Sequence, residues 1–360
     1  MSDSNICIIT ARNIYDSPCL EKYEAIIDEP FDIVYWDRHD IVERCTAKKI
    51  YKFVLKLNPS ASTIAKLTGY YKFRKHVIKV LKSHKYKRLI VFPTHVAWLI
   101  LGVLKREYKE EYILDIRDYS GENSRFIYSL TKKAIKNAGM VSVTSKAYEV
   151  FLPKGYNYVL SHNIQEISKS LVLKYRTRVI DSSFPIVMSF IGTIRFIEQQ
   201  KKLILTFKND DRFVLQFIGR GSEQLADFCE TNGIQNVVLK GRFNREDLPA
   251  YYLESDLAIN VYGHNDSFLD YALSNKLYSA ALMGMPIICS KGTYMAQIAT
   301  EYEIGFVFDE DNPNMVNELY KYMRTLDRQV LFANDDRFIS SVRKDEEDYQ
   351  KAVKTFLRTE

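Results

Sequence analysis

Three positively charged residues in the second half of the chain, Arg195, Lys201 and Lys276, follow predicted strands or begin predicted helices. Arg195 ends the turn Gly192 to Arg195, and we expect Lys201 to open the helix that comes next. Both side chains could then approach a diphosphate near a helix N-terminus, where backbone N–H groups and the helix dipole favour negative charge. Lys276 falls in the first turn of a later helix and stays free to face a ligand. These residues predict the binding of a phosphorylated ligand.

The segment from Asn275 to Ser290 has the most informative pattern in the chain. Its small and apolar residues at positions 277, 280, 281 and 283 pack one face of a predicted helix. Gly284 permits the left-handed backbone that ends many helices, and Pro286 prevents the helix from continuing. The run from Ile287 to Cys289 then reads as a buried strand. The segment predicts a helix that packs on a sheet and presents Lys276 near its start.

Apolar runs alternate with helical patterns along the whole chain, which predicts parallel α/β layers. In the first half the predicted strands are 6–10, 32–36, 89–92, 112–116, 140–143 and 158–160. In the second half they are 185–192, 213–219, 237–241, 257–260, 287–289 and 305–308. The repeated order predicts two Rossmann-like domains with ligands bound beyond the carboxyl ends of the strands, in a cleft between the domains.

We expect an N-terminal domain over 1–165, a C-terminal domain over 166–340 and a final helical segment over 341–360. The polar stretch 161–183, which includes Asp181-Ser182-Ser183, is the predicted linker region. The final segment opens with acidic residues and closes with basic ones, a distribution that complements a helix dipole.

Five segments of the second half occur in an order and spacing that resemble the group-one, family-four-like glycosyltransferases of the GT-B fold, as found in bacterial surface polysaccharide synthesis. These segments are Ile191 to Arg195, Ile218 to Ser222, Val238 to Arg242, Tyr252 to Ile259 and Asn275 to Ser290. The resemblance covers roughly 185 to 325 by sequence and the first domain by fold. It implies a GT-B architecture in which two Rossmann-like domains face a central cleft.

The resemblance also implies roles for particular residues. Arg195, Lys201 and Lys276 would face the donor diphosphate, and Asp118 would lie against the transferred sugar; these four are the predicted catalytic residues. The predicted donor-binding residues are Gly192, Gly219, Arg242, Phe243, Tyr278 and Ser279. The donor would be a nucleotide diphosphate sugar, with a UDP-sugar favoured, and no cofactor or metal ion would be needed.

The chain departs from the family pattern at two positions. The family has two glutamates eight residues apart, and here Tyr271 and Ser279 occupy those positions. Ser279 could still hydrogen-bond a ribose hydroxyl, and Asp266 or Asp270 could reach the sugar. The carboxylates of Asp309-Glu310-Asp311 run into Asn-Pro, which favours a solvated turn over a metal site.

His95 and His162 are candidate cleft residues, and for each the more common role of a lone histidine is a structural hydrogen bond. The five cysteines show no Cys-x-x-Cys spacing and read as reduced packing residues. With 360 residues, 46% of them hydrophobic, and without a membrane-length apolar run or a signal-peptide pattern, the sequence predicts a globular cytoplasmic protein of about two domains.

Residues 46–90 contain thirteen lysines and arginines and no acidic residue. Within this stretch Leu67, Tyr70, Tyr71, Val77, Ile78 and Leu81 have the spacing of one buried helical stripe. The predicted membrane-binding residues Lys72, Lys75, Lys79 and Lys82 lie outside it. Attraction to anionic headgroups would place the protein at the inner face of the cell membrane. A solvated helix face and nucleic-acid binding are the alternatives, although no nucleic-acid motif is present.

Together these patterns predict a metal-independent, retaining hexosyltransferase that moves a sugar from a nucleotide diphosphate sugar to a saccharide, most naturally a lipid-linked one. Three alternatives stay open: an inactive nucleotide-sugar-binding partner of a polysaccharide assembly, a basic membrane or nucleic-acid binder, and an epimerase on the same fold.

Overall fold

The computed structural model describes residues 4–57, 61–179 and 184–358. The chain divides into two compact units: Met1–His162 with Lys344–Glu360, and Asn163–Arg343. Part of the predicted linker region, Asp181-Ser182-Ser183, lies outside the described residues.

The first unit is built on a seven-stranded parallel sheet. Its strands are β1 (Ile6–Thr10), β2 (Phe31–Asp37), β3 (Lys49–Val54), β4 (Arg88–Phe92), β5 (Tyr112–Ile116), β6 (Met140–Val143) and β7 (Val159–Leu160). The helices between them are α1 (Cys19–Ile26), α2 (Thr63–Ser83), α3 (Thr94–Glu107) and α4 (Arg125–Asn137). The strand order is β3-β2-β1-β4-β5-β6-β7, so the order reverses between β1 and β4.

The second unit contains a six-stranded parallel sheet. Its strands are β8 (Ile186–Ile191), β9 (Phe213–Ile218), β10 (Val237–Lys240), β11 (Leu257–Asn260), β12 (Ile287–Ser290) and β13 (Gly305–Phe308). Its helices are α5 (Lys169–Arg176), α6 (Ile197–Thr206), α7 (Ala226–Thr231), α8 (Leu248–Leu253), α9 (Ser267–Asp270), α10 (Asn275–Met283), α11 (Tyr294–Glu301) and α12 (Met315–Thr325). The order β10-β9-β8-β11-β12-β13 reverses between β8 and β11.

The prediction of two Rossmann-like domains is confirmed. Helix α10 also begins and ends as predicted: the Ser274 side chain accepts a hydrogen bond from the N–H of Lys276, and Gly284 takes the left-handed conformation with φ at 80°. β3 is an element that the sequence patterns missed. It pairs only with β2 and carries Lys49 and Lys52 among apolar residues, which is how edge strands resist pairing with other chains.

The buried face of α2 differs in part from the predicted stripe. Val77 and Leu81 of the stripe are buried as predicted, together with Gly69 and Phe73. Leu67 and Tyr71 are instead more than half exposed. The cause is Gly69, where a Cβ atom would lie only 2.7 Å from the Trp36 ring. The helix therefore turns its glycine toward Trp36, and this rotation brings Leu67 and Tyr71 to the surface together with Ile64.

The last helix, α13 (Arg328–Leu357), is much longer than the predicted segment. Its residues up to Arg343 belong to the second unit, and those from Lys344 belong to the first. Tyr349, Val353 and Leu357 are buried in the core of the first unit with Ile6 and Ile8 of β1. Among the described residues, no helix is long and apolar enough to cross a membrane.

Candidate functional site

The carboxyl ends of β8 and β11 form the place in the second unit where a ligand is expected. These strands are neighbours in the sheet although two other strands, β9 and β10, lie between them in the chain, so the loops that follow them diverge and leave a crevice. The turn from Gly192 to Arg195 follows β8, and Tyr262 lies two residues after β11. Both loops therefore border the same crevice.

Two glycines bring the turns after β8 and β9 into direct contact. Gly219 has φ at 140°, and a Cβ atom added there would lie 1.9 Å from the carbonyl oxygen of Gly192. Only glycine permits this approach, because any side chain would collide with the neighbouring backbone. Gly192, with φ at 131°, leaves the space beside the Lys276 ammonium open, since a Cβ at 192 would stand 3.9 Å from Nζ.

Lys276 projects from the start of α10 toward this crevice. Its Nζ donates a hydrogen bond to the Tyr262 hydroxyl at 2.5 Å and lies 3.9 Å from the centre of the Phe190 ring. The helix start is anchored by Ser274, whose hydroxyl donates to the Asn260 side chain at the end of β11 at 2.9 Å. The lysine is therefore fixed to the strand edge through both its helix and its ammonium group.

The surroundings of Lys276 disfavour its positive charge. Burial against the aromatic rings, and then the nearby Arg195 guanidinium, lower the pKa of Lys276 from 10.5 to about 7. Burial also raises the pKa of Tyr262 to about 12, so its hydroxyl stays neutral and gives the ammonium no counter-charge. An anion in the crevice would supply that missing charge.

Lys201 does not stand where the sequence placed it. α6 begins at Ile197, so Lys201 lies beyond the first helical turn, and the expectation that it opens the helix is wrong. Its ammonium pairs with Glu198 at 2.8 Å and lies over the Phe228 ring. The start was missed because Gln200 takes a buried helix position, where its amide donates to the Val261 carbonyl oxygen at 2.7 Å.

The other predicted donor-binding side chains differ in how far they are accessible to a ligand. Tyr278 is fully buried and stacks on Phe338, so its side chain belongs to the core rather than to a ligand site. Ser279 is partly buried beside Tyr252. Arg242 is exposed two residues after β10, and Phe243 packs edge-on against Tyr251.

The carboxylates near the missing glutamates have different environments. Asp266 caps α9 by accepting the N–H of Phe268. Asp270 has a buried Oδ1 with no hydrogen-bond partner among the described residues, and burial raises its pKa. Asp309 accepts hydrogen bonds from the Lys291 ammonium at 2.7 Å and from the N–H of Asp311, so its carboxylate stabilises a turn. No group of three or more histidine, cysteine, aspartate or glutamate side chains in the described ranges could hold a metal ion.

Asp118 and the two candidate histidines belong to the first unit. Asp118 lies two residues after β5 and accepts from the Arg12 guanidinium at 3.0 Å. His162 contacts Asp345 of α13 through Nε2 at 3.1 Å, the structural role that is usual for a lone histidine. His95 lies in the first turn of α3.

Tyr262 and Phe190 were missed by the sequence patterns, although they surround the Lys276 ammonium. Only the position of Tyr262 could have pointed to it. It stands just past a predicted strand end, in the loop where Rossmann-like sheets bind ligands. The Ser290 hydroxyl holds this loop by accepting the N–H groups of Tyr262 and Gly263 at 3.1 and 3.0 Å.

Residues 188–325 match the sequence model of the family described as glycosyl transferases group 1. This range holds every residue of the crevice just described, and it is a group 1 glycosyltransferase domain. No curated protein sequence matches the chain.

Solved structures with the same fold extend the likeness over nearly the whole chain. Sucrose-phosphate synthase from Thermosynechococcus elongatus superposes with a TM-score of 0.70 at 14% identity, covering 98% of this chain and 99% of that one. HepE from Anabaena in complex with UDP superposes with a TM-score of 0.69 at 13% identity, covering 98% of this chain and 100% of HepE. The lipopolysaccharide outer core galactosyltransferase WaaB superposes with a TM-score of 0.67 at 13% identity, covering 98% of this chain and 99% of WaaB. The chain therefore has the GT-B fold.

The pKa of Lys276 gives a direct test of the crevice. Arg195→Gln removes a neighbouring positive charge, so we expect the pKa of Lys276 to rise above its value of about 7. The pKa is measured by NMR on the protein with ¹³C-methylated lysines, with Lys276→Arg identifying the signal. Arg337→Gln, which removes an exposed arginine of the same unit outside the predicted site, is the matched control and should leave the signal in place. A Lys276 signal that titrates near 10.5 in the unsubstituted protein would refute the described environment.

Proposed function

We propose that this protein is a hexosyltransferase that moves a sugar from a nucleotide diphosphate sugar to a saccharide acceptor. The observation that carries the proposal is the Lys276 ammonium, held without a counter-charge beside Arg195 at the reversal point of the second sheet. A UDP-sugar is the favoured donor because a structure of similar fold, HepE, is a complex with UDP.

The chemistry follows from where charge develops during transfer. The bond from the anomeric carbon to the donor diphosphate breaks, and negative charge accumulates on the departing diphosphate oxygens. Lys276, Arg195 and the first N–H groups of α6 offer fixed positive charge and dipoles at the carboxyl edge of the sheet, where such groups stabilise the leaving group most in the transition state. Protein groups thus stabilise the leaving diphosphate. From the resemblance to the family we expect the configuration at the anomeric carbon to be retained.

A lipid-linked acceptor is the second part of the proposal, and it rests on the surface of α2. Ile64, Leu67 and Tyr71 form an exposed apolar stripe, with 77%, 64% and 53% of each residue accessible. Lys75 continues the stripe with its ammonium 4.5 Å from the Tyr71 ring centre, and Lys72, Lys79 and Lys82 are exposed beside it. An apolar stripe bordered by lysines suits the boundary between headgroups and acyl chains of an anionic membrane. We place the protein at the cytoplasmic face of such a membrane, in cell-surface polysaccharide synthesis.

The loss of the family glutamates favours a second candidate, a nucleotide-sugar-binding partner without catalytic activity. Tyr271 and Ser279 stand at those positions, and neither side chain carries the negative charge of a glutamate. Binding of a nucleotide sugar without any turnover would support this candidate.

Turnover tests the donor site. The purified protein is incubated with individual UDP-sugars and a lipid-linked saccharide, and release of UDP is followed. Lys276→Ala is expected to lower kcat/KM about a hundredfold or more, since removing one preorganised donor to a developing negative charge costs roughly 2.7 to 4 kcal/mol. Lys208→Ala, an exposed lysine of the same unit, is the control with unchanged turnover. Equal rates for the unsubstituted protein and Lys276→Ala would remove this lysine from the reaction.

Flotation on vesicles tests the membrane surface. Replacing Ile64, Leu67 and Tyr71 together by serine should weaken binding to anionic vesicles at least about tenfold, because each apolar side chain contributes roughly 1.5 to 3 kcal/mol when fully buried. Changing the four lysines to glutamine should remove about 1 kcal/mol for each charge and abolish the salt dependence. Leu173→Ser, a 64% exposed residue of α5, serves as the control. Undiminished flotation of both multiple variants would contradict a role for α2.

A further inference from the structure

The first sheet has its own reversal of strand order, between β1 and β4. Charged and polar residues follow four adjacent strands at this carboxyl edge. They are Arg12 after β1, Arg38 after β2, and Thr94 and His95 after β4, with Asp118 after β5. Because the strands are parallel, the loops that carry these residues lie along one edge, at the position where sheets of this kind bind ligands.

The start of α3 contains buried polar groups with no hydrogen-bond partner in the described ranges of the chain. The Thr94 hydroxyl belongs to a residue with no exposed surface, and Nε2 of His95 and Nε1 of Trp98 are also buried and unpartnered. All three lie in the stretch of α3 before its kink at Ile100, where the backbone is not helical. Native proteins rarely leave such groups unsatisfied, and a bound ligand is one way to satisfy them.

Two guanidinium groups face this helix start. Arg38 donates to the Tyr70 hydroxyl at 3.2 Å, and the Tyr70 ring meets the His95 ring edge-on at 5.3 Å. Burial, followed by the charges of Arg12 and Arg38, lowers the pKa of His95 to about 4, so its imidazole is neutral at pH 7. Asp118 pairs with Arg12, and Asp37, the last residue of β2, pairs with Lys52. Nε of Arg38 is buried and has no hydrogen-bond partner among the described residues, so this guanidinium keeps a donor for an anion.

We propose that the carboxyl edge of the first sheet, at Arg12, Arg38 and the start of α3, binds the phosphate group of a phosphorylated saccharide acceptor. This inference rests on the proposed function, because it names the chemical class of that acceptor. The Thr94 hydroxyl, His95 Nε2 and Trp98 Nε1 donate to the phosphate oxygens, and the two arginines balance their charge. The phosphate belongs either to a soluble sugar phosphate or to the link between a saccharide and its lipid.

The binding of inorganic phosphate to the full chain tests the site. The six histidines allow His95 to be followed by NMR, with its signal identified by His95→Gln. Phosphate at this edge should shift the signal in a saturable way and raise the pKa of His95 from about 4 to about 5 or above, since a neighbouring anion favours imidazolium. A His95 signal that does not respond to phosphate would overturn the proposal.

Two substitutions separate a binding role from a structural one. Thr94→Val removes a buried hydroxyl that has no partner, so it should leave the unfolding midpoint unchanged or raised while weakening phosphate binding about tenfold. Arg38→Gln should weaken binding by a similar factor, and Arg44→Gln, an exposed arginine of the same unit, should not. If Thr94→Val and Arg38→Gln both bind phosphate as tightly as the unsubstituted protein does, the assignment is contradicted.

Two further titrations identify the source of the phosphate and test the donor proposal separately. Glucose 6-phosphate and a polyprenyl phosphate in neutral vesicles are compared by the His95 response, and tighter binding of either one supports the site and identifies the source. UDP binding is measured separately through the Lys276 signal. Failure of UDP to bind while phosphate still moves His95 would end the donor proposal alone, and the converse result would end the acceptor proposal alone.

Discussion

The fold of the second unit holds a lysine ammonium in a place that disfavours its charge, and the site depends on this constraint. Lys276 lies against Phe190 and Tyr262, with Arg195 nearby, and its pKa of about 7 reflects the cost of desolvating a cation next to a second one. The charge is tolerated because α10, its Ser274 cap and the end of β11 fix the side chain in position. A diphosphate that entered the crevice would restore the charge balance, and for this reason we propose Lys276 as the group that stabilises the leaving group.

The same topological feature occurs in both units. In each sheet the strand order reverses once, and the loops after the two central strands carry arginine together with the start of a helix. In the second unit the helix start contributes a lysine, and in the first it contributes buried hydroxyl, imidazole and indole groups without described partners. The two edges thus offer different polar groups to anionic ligands while using the same backbone geometry.

The sequence predicted most strands and the helix that carries Lys276, because buried parallel strands are short apolar runs and because Gly284 and Pro286 mark a helix end unambiguously. It missed β3, whose lysines are typical of an edge strand but also of a solvated charge run. It misplaced the buried face of α2, because counting apolar residues overlooks Gly69, which packs on Trp36. Within the site, Lys276 and Arg195 could be named from the family pattern, whereas Tyr262 could not, since its role depends on which strands become neighbours.

Proton uptake on UDP binding is the sharpest test of the charge environment of Lys276. At pH 8, UDP is fully ionised and Lys276, with a pKa of about 7, is mostly neutral. A diphosphate beside it raises that pKa, so affinity should fall as the pH rises above about 7 and binding at pH 8 should take up close to one proton. Calorimetry in buffers of different ionisation enthalpy measures this uptake. We expect uptake in the unsubstituted protein and none in Lys276→Met. If neither protein takes up a proton, or both take up the same amount, the diphosphate does not bind beside the Lys276 ammonium.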